Sequence, residues 1–377
     1  MTRHSLAIVS PDDQKVTFVE LFFDLVFVYC VTQVVTLLHG HIDWQSAGSA
    51  LLVFWLVWWA WTQFTWALNA ANTEHPRIQV ITLLATAIAF LLAVGIPGAL
   101  GRDALWFAGP YVALRVVGLL AYDLVASRDA AQRKAVRIFA LVSITGLVAV
   151  MAGAAAGGLT LYWMWGLAIV LDLIAAGIGG QLEGWNLHPE HFVERHGLIV
   201  IIALGETLIV AAAGLVGATR TPAVIATGVL AVAVTCGLWW SYFRHAREAL
   251  EHALATRTGT ARSRLARDVF SVLHFPMLCG VIAIAAATEA ALAHPEAVLS
   301  ADLRGALGVG AMLFICGTAA GMWRAVSRPL PWRWAMAPLV AIVVFAVNTV
   351  PWVGMTLVLG MLVAIGAVEH YIVPPVK

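Results

Sequence analysis

Two carboxylates four residues apart, Glu20 and Asp24, open the first apolar stretch of the chain in VELFFDLVFV. At that spacing they share one helix face. Carboxylates so placed repel each other unless a cation, a proton or an arginine sits between them. Glu20 also has a local reading, because Thr17-Phe18-Val19-Glu20 ahead of an apolar run is a capping box. Asp24 lies one turn deeper and has no such reading, which makes it the stronger candidate for proton or ion chemistry. A second polar group, His191-Phe192-Val193-Glu194-Arg195-His196, opens a later apolar stretch. His191 and Glu194, three apart, could share a ligand or a proton. The same residues also read as the ordinary polar start of a span, with Arg195 snorkelling to headgroups.

Deeper in apolar runs lie Glu206 in IALGETLIV, Arg115, and Asp172. Glu206 and Arg115 fall at similar depth and are expected to pair, either to hold helices in register or to form a gate. His274 in LHFPML precedes Pro276, which is expected to kink its helix and free carbonyls. A histidine there can titrate near neutral pH, and a satisfied core histidine is the alternative. Glu289, like Asp123 and Glu369, lies near a span end, where interfacial residues are common. His191, Glu194, His196 and His274 could compose a metal site, but no HxxxH or ExxH falls at ligand spacing on one helix. No GxSxG or Walker loop occurs. The sequence therefore assigns no catalytic residue, no metal ligands and no cofactor. The candidate pathway residues are Glu20, Asp24, Arg115, Asp172, His191, Glu194, Arg195, Glu206, His274 and Glu289.

These groups need elements that can hold them in an apolar medium. Of the 377 residues, 61% are apolar and 11% charged, against about 25% charged in soluble domains. Mean hydropathy is +0.88. The solvent is lipid, and the spanning elements are helices of about 20 apolar residues, in which every backbone group pairs internally. A transmembrane barrel would show short alternating segments instead. The fold class is thus all-α and polytopic. Spans are expected at roughly 17–38, 46–69, 77–98, 105–126, 136–157, 159–179, 193–217, 222–243, 267–291, 303–326, 333–349 and 351–370.

With the N-terminus inside, twelve spans place eighteen of the 22 basic residues on the inner side. Only Arg102, Arg220 and Arg304 fall outside, and Arg115 lies within a span. That asymmetry follows the positive-inside rule and puts both termini in the cytoplasm. The longest connection, 244–266, reads as a basic amphipathic helix on the membrane surface or as a solvated loop. Net charge is +1, so nucleic acid is not a partner. The four cysteines fall inside apolar runs without CxxC spacing. The first span carries no small-residue cleavage site and is expected to act as an uncleaved anchor. The Trp-rich second span (Trp55, Trp58, Trp59, Trp61, Trp66) exceeds an interfacial belt and must pack against other helices or line a cavity.

Phe18-Val19-Glu20 recurs as Phe192-Val193-Glu194, and Trp58-Trp59 as Trp239-Trp240, at offsets differing by a short insertion. Two parallel six-helix repeats follow, a known transporter plan with its site between the halves. The expected organisation is a cytoplasmic tail over 1–16, a first repeat over 17–179, a second over 180–370 with the basic loop 244–266, and a tail over 371–377. The major facilitator superfamily fits poorly. Its long loop joins spans six and seven, whereas here the long loop joins eight and nine, and its basic motif between spans two and three is missing.

Three segments in order, VTFVELFFDLVFVYCVTQ at 16–33, EHFVERHGLIVIIALGE at 190–206 and LHFPMLCGVIAIAAATE at 273–289, resemble the bacterial low temperature requirement protein A (LtrA) family. The resemblance covers essentially the whole chain and implies a multi-pass protein of the bacterial inner membrane. It implies no particular substrate or reaction. The residues themselves favour a secondary transporter or ion-conducting protein, coupled to protons through Asp24, Glu206 and His274, whose partners are the lipid bilayer and a small solute or ion. An intramembrane enzyme or metal or redox site using the His/Glu cluster is one alternative. A structural or regulatory membrane protein is the other. No oligomeric state is assigned.

Overall fold

A computed structural model describes residues 8–11, 14–39, 42–126, 129–182 and 184–372, except for the side chains of His245 and Ile372. Arg3, Arg128 and Lys377 of the charge balance, with Asp12 and Asp13, lie outside the described residues. The helices are α1 (Phe18–Thr36), α2 (Trp44–Ala70), α3 (Pro76–Gly95), α4 (Ala104–Val125), α5 (Ala130–Ala156), α6 (Gly158–Gly179), α7 (Pro189–Gly217), α8 (Pro222–Ser241), α9 (Arg247–Ala255), α10 (Gly259–Leu265), α11 (His274–Ala293), α12 (Ala301–Val326), α13 (Pro331–Ala346) and α14 (Pro351–Ile372). No strand occurs among the described residues, only an isolated bridge between Val9 and Ala71.

Among the described residues, eleven helical stretches are long and apolar enough to cross a membrane, and α13 is a shorter apolar helix of 16 residues. The all-helical multi-pass class is as the composition requires. Five helices (α3, α7, α8, α13, α14) begin on proline, where the missing N–H costs nothing. The tight joint between α5 and α6 is made by Gly157 and Gly158 at φ +66° and +55°, a region that favours glycine.

The connection 244–266 departs from a separate surface helix. It continues the spans on either side, as α9 and α10, so that 222–255 and 259–293 are nearly unbroken helical stretches. Two π-helical segments, Tyr242–Ala246 and Ala266–Leu273, join α8 to α9 and α10 to α11. Two arginines of the connection, with Arg267 just beyond it, are held by protein rather than left for headgroups. Arg264 donates to the Gly180 carbonyl at 3.3 Å, Arg267 to Ala176 and Gly177 at 3.3 and 3.4 Å, and Arg262 to Leu187 at 3.2 Å. The carbonyls at a helix C-terminus have accepting capacity to spare, even where, as at Ala176, a backbone N–H is already bound, and cations there also meet the negative end of the helix dipole.

The chain forms two compact units interleaved in sequence. One comprises Met1–Val34, Ser49–His196 and Leu254–Arg267, the other Val35–Gly48, Gly197–Ala253 and Asp268–Lys377. The core of the first is α2, whose tryptophans pack rather than form a belt. Trp58 and Trp61 are buried and stack at 5.2 Å, and Trp55 stacks on Trp59 at 5.3 Å. In the second, α11 and α12 cross closely at Gly280 and Gly310, where a Cβ on Gly310 would lie 2.7 Å from the Gly280 carbonyl oxygen.

Candidate functional site

The first turns of α1 and α7 bring Glu20, Asp24, His191 and Arg195 together inside the first unit. The arginine required between the two carboxylates is Arg195. It is fully buried, not snorkelling, and donates from Nη1 to Glu20 Oε1 at 2.7 Å and from Nη2 to Asp24 Oδ1 at 2.6 Å. The Trp61 ring lies 5.7 Å from its guanidinium carbon, within cation–π range. Both helices present their N-termini to the cluster, where partial positive charge favours carboxylates.

Glu20 is saturated. Oε2 accepts from the Thr17 amide at 3.0 Å and the Thr17 hydroxyl at 2.9 Å, so the local cap and the ion pair coexist. His191 Nε2 lies 3.0 Å from Oε1 and 3.2 Å from Oε2. The tautomer of His191 follows from Asn69. The Asn69 carbonyl oxygen accepts from the His188 amide at 2.8 Å, while its Nδ2 donates to the His188 carbonyl at 3.0 Å. That fixes the amide orientation, so the 2.9 Å contact from Nδ2 to His191 Nδ1 is a donation into the ring. Nε2 therefore carries the proton and donates to Glu20.

Asp24 is different. Oδ1 accepts from Arg195 and from Trp61 Nε1 at 2.8 Å. Oδ2 is buried without a partner, as is Arg195 Nε. Glu194 borders the cluster and accepts from the Val16 amide at 3.4 Å.

Arg115 does not pair with Glu206. Its partner is Asp172, held by Nη1 at 3.2 Å and Nη2 at 2.9 Å. Tyr111 OH receives Nη1 at 2.6 Å, and Gln63 Oε1 receives Nε. Gln63 in turn donates to the Arg115 carbonyl at 3.0 Å. Depth along the chain placed Asp172 and Glu206 equally, and packing decided between them: the α4, α6 and α2 side chains converge within the first unit, whereas Glu206 lies buried on the part of α7 that belongs to the second.

In the second unit, His274 donates from Nδ1 to the Val269 carbonyl at 2.9 Å, five residues back in the π-helical segment, so Nε2 accepts from Tyr242 OH at 2.8 Å. Glu289 contacts His39 at a partly exposed position. A cluster that the sequence reading passed over is Arg333 with Glu369. Arg333 donates from Nε and Nη2 to the two Glu369 oxygens at 2.5 and 2.8 Å, from Nη1 to Thr318 at 2.5 Å, and to the Ser241 carbonyl at 3.1 Å. Each partner lies near a span end, which reads as interfacial. The available signal was register: the first turn of α13 and the last of α14 lie at one level if the two helices run antiparallel.

A multi-span helical bundle that buries three separate arginine–carboxylate clusters, one of them incompletely paired, defines a polytopic α-helical membrane protein with ionisable groups built into its helices. The chain belongs to the bacterial low temperature requirement A protein (LtrA) family, whose sequence model matches residues 15–368. An uncharacterized protein of Rhizobium meliloti (strain 1021) is 28% identical over 343 residues, which is 87% of this chain and 82% of that protein. No solved structure matches.

Proposed function

We propose that this protein is a secondary transporter or ion-conducting protein of the bacterial inner membrane, coupled to protons, with both termini in the cytoplasm and two parallel six-helix repeats. The carrying observation is the cluster of Glu20, Asp24, His191 and Arg195, a buried site that leaves a carboxylate oxygen of Asp24 and the Nε of Arg195 without partners. Ionisable side chains inside a bilayer cost a few kcal/mol or more and mark ion and proton paths. The repeat reading is supported by the meeting of the two Phe-Val-Glu motifs, since Glu20 and Glu194 both border this cluster. The cargo is a small solute or ion, and the surrounding partner is lipid.

Not every buried charge belongs to that path. Arg115–Asp172 and Arg333–Glu369 are closed forks with every donor but one or two engaged by protein, and they favour a packing role. The path in the second unit runs through Glu206 and the Tyr242–His274 pair, which sits between π-helical turns of a kind frequent at functional sites. The test is proton and cation flux into liposomes containing purified protein, wild type beside Asp24→Asn and Glu206→Gln. Flux that disappears in Asp24→Asn while the folded protein survives is the expected result. Wild-type flux that persists unchanged in that variant, or no wild-type flux under any gradient, overturns the reading.

A further inference from the structure

The three buried arginines can be compared atom by atom. Arg333 places Nε and Nη2 on both oxygens of Glu369. Arg115 places Nη1 and Nη2 on both oxygens of Asp172. Arg195 gives Asp24 one bond, from Nη2 to Oδ1, and leaves Nε and Asp24 Oδ2 each without a partner, although both are buried. An ionised carboxylate beside a guanidinium closes such a fork, because the second bond is charge-assisted and removes two orphaned atoms at once. A carboxylic acid with its proton on Oδ2 cannot close it, because Oδ2–H and Nε–H are both donors.

Charge counting leads to the same atom. Among the described residues, the one cation that Glu20 and Asp24 face is Arg195, since His191 is held as the Nε2–H tautomer by Asn69. Half-buried Glu194 on the neighbouring turn adds only negative charge. One further positive charge makes the Glu20–Asp24–Arg195 triad neutral. Glu20 cannot take it, because both of its oxygens already accept hydrogen bonds. Asp24 Oδ1 accepts two as well. A metal ion would require several oxygens, and the triad offers one.

We infer that Asp24 Oδ2 is a binding site for a single proton. Binding converts the carboxylate to the acid and opens the Arg195 fork, with a water accepting from both Oδ2–H and Nε–H. Release returns the proton to that water, and the fork closes to the two-bond form seen at Arg333, drawing α1 and the first turns of α7 together. This inference rests on reading the cluster as the ion-handling centre, and it names the ion.

The experiment is infrared difference spectroscopy on the purified full chain in lipid nanodiscs, between acid and alkaline buffer. The expected result is one protonated-carboxyl band that shifts when aspartate is carbon-13 labelled and not when glutamate is. In Asp24→Glu the band should move to the glutamate label, and in Asp24→Asn it should vanish. Labelling of the wild type keeps the test decisive if a variant does not fold. A band that follows glutamate in the wild type, a band that survives in Asp24→Asn, or no such band, overturns the proton site. Flux without the band leaves the transport reading standing and removes this one. The band without flux does the reverse.

Discussion

Glu20 and Asp24 are one helical turn apart, yet the first has every oxygen engaged and the second has one free. Their neutral amide variants should therefore behave differently. Glu20→Gln removes the one counter-charge that Arg195 keeps when Asp24 is protonated, and takes away one of the two oxygens that Thr17 and His191 use. It is expected to lower stability by about 3–5 kcal/mol, the cost of leaving a buried charge unpaired. Asp24→Asn mimics the protonated acid and should lose no more than about 1 kcal/mol, the worth of one hydrogen bond. Thermal unfolding of both variants in detergent would check this, and equal losses would contradict the assignment of roles. The helical spacing of the two carboxylates already required something positive between them. It could not identify Arg195, because an arginine in the first turns of a span has headgroups within reach. Only the approach of α7 to α1 removes that option.

At the scale of helices, the Arg115–Asp172 fork ties α4 to α6, with α2 supplying Gln63. Removing one partner, as in Arg115→Met or Asp172→Leu, should cost about 3–5 kcal/mol, while the double replacement should recover most of it. Unfolding titrations on the three variants measure this, and liposome flux in the double variant should match wild type. Losses that simply add would mean that the two side chains do not act as a pair. The α11–α12 crossing gives a second test. Gly310→Ala puts a methyl group 2.7 Å from the Gly280 carbonyl, and overpacking there should cost about 1–3 kcal/mol in the same titration. The existence of the long apolar helices, eleven with a shorter twelfth among the described residues, was legible in the sequence because apolar length alone dictates them. The choice of Asp172 over Glu206 was not, since depth along a helix says nothing of which face meets which neighbour. Arg333 and Glu369 escaped for a related reason: each is unremarkable alone, and only the level at which α13 and α14 meet makes them a pair.

For the whole molecule, the distribution of arginine and lysine predicts both termini in the cytoplasm. Reporters active only outside should work when joined near Arg102, Arg220 or Arg304 and fail at either terminus. The opposite pattern would invert the topology and place the Glu20–Asp24 cluster at the outer face. The basic connection 244–266 was the least legible long segment. Its charge favours a membrane-surface helix, whereas Arg264, with Arg267 just beyond the segment, finds carbonyls at the end of α6, a competing acceptor that a linear reading does not display.

The engagement of α6 by Arg264 and Arg267 bears on how the chain is made. The first unit is not finished when α6 leaves the ribosome, because its last piece, Leu254–Arg267, is encoded two spans later. During synthesis the end of α6 must wait for these arginines until residues 254–267 are translated and settle on it. Insertion of the early spans can proceed in order, but their assembly is deferred. A truncated product ending before residue 254 should therefore insert and still be cleared by membrane proteases as incomplete.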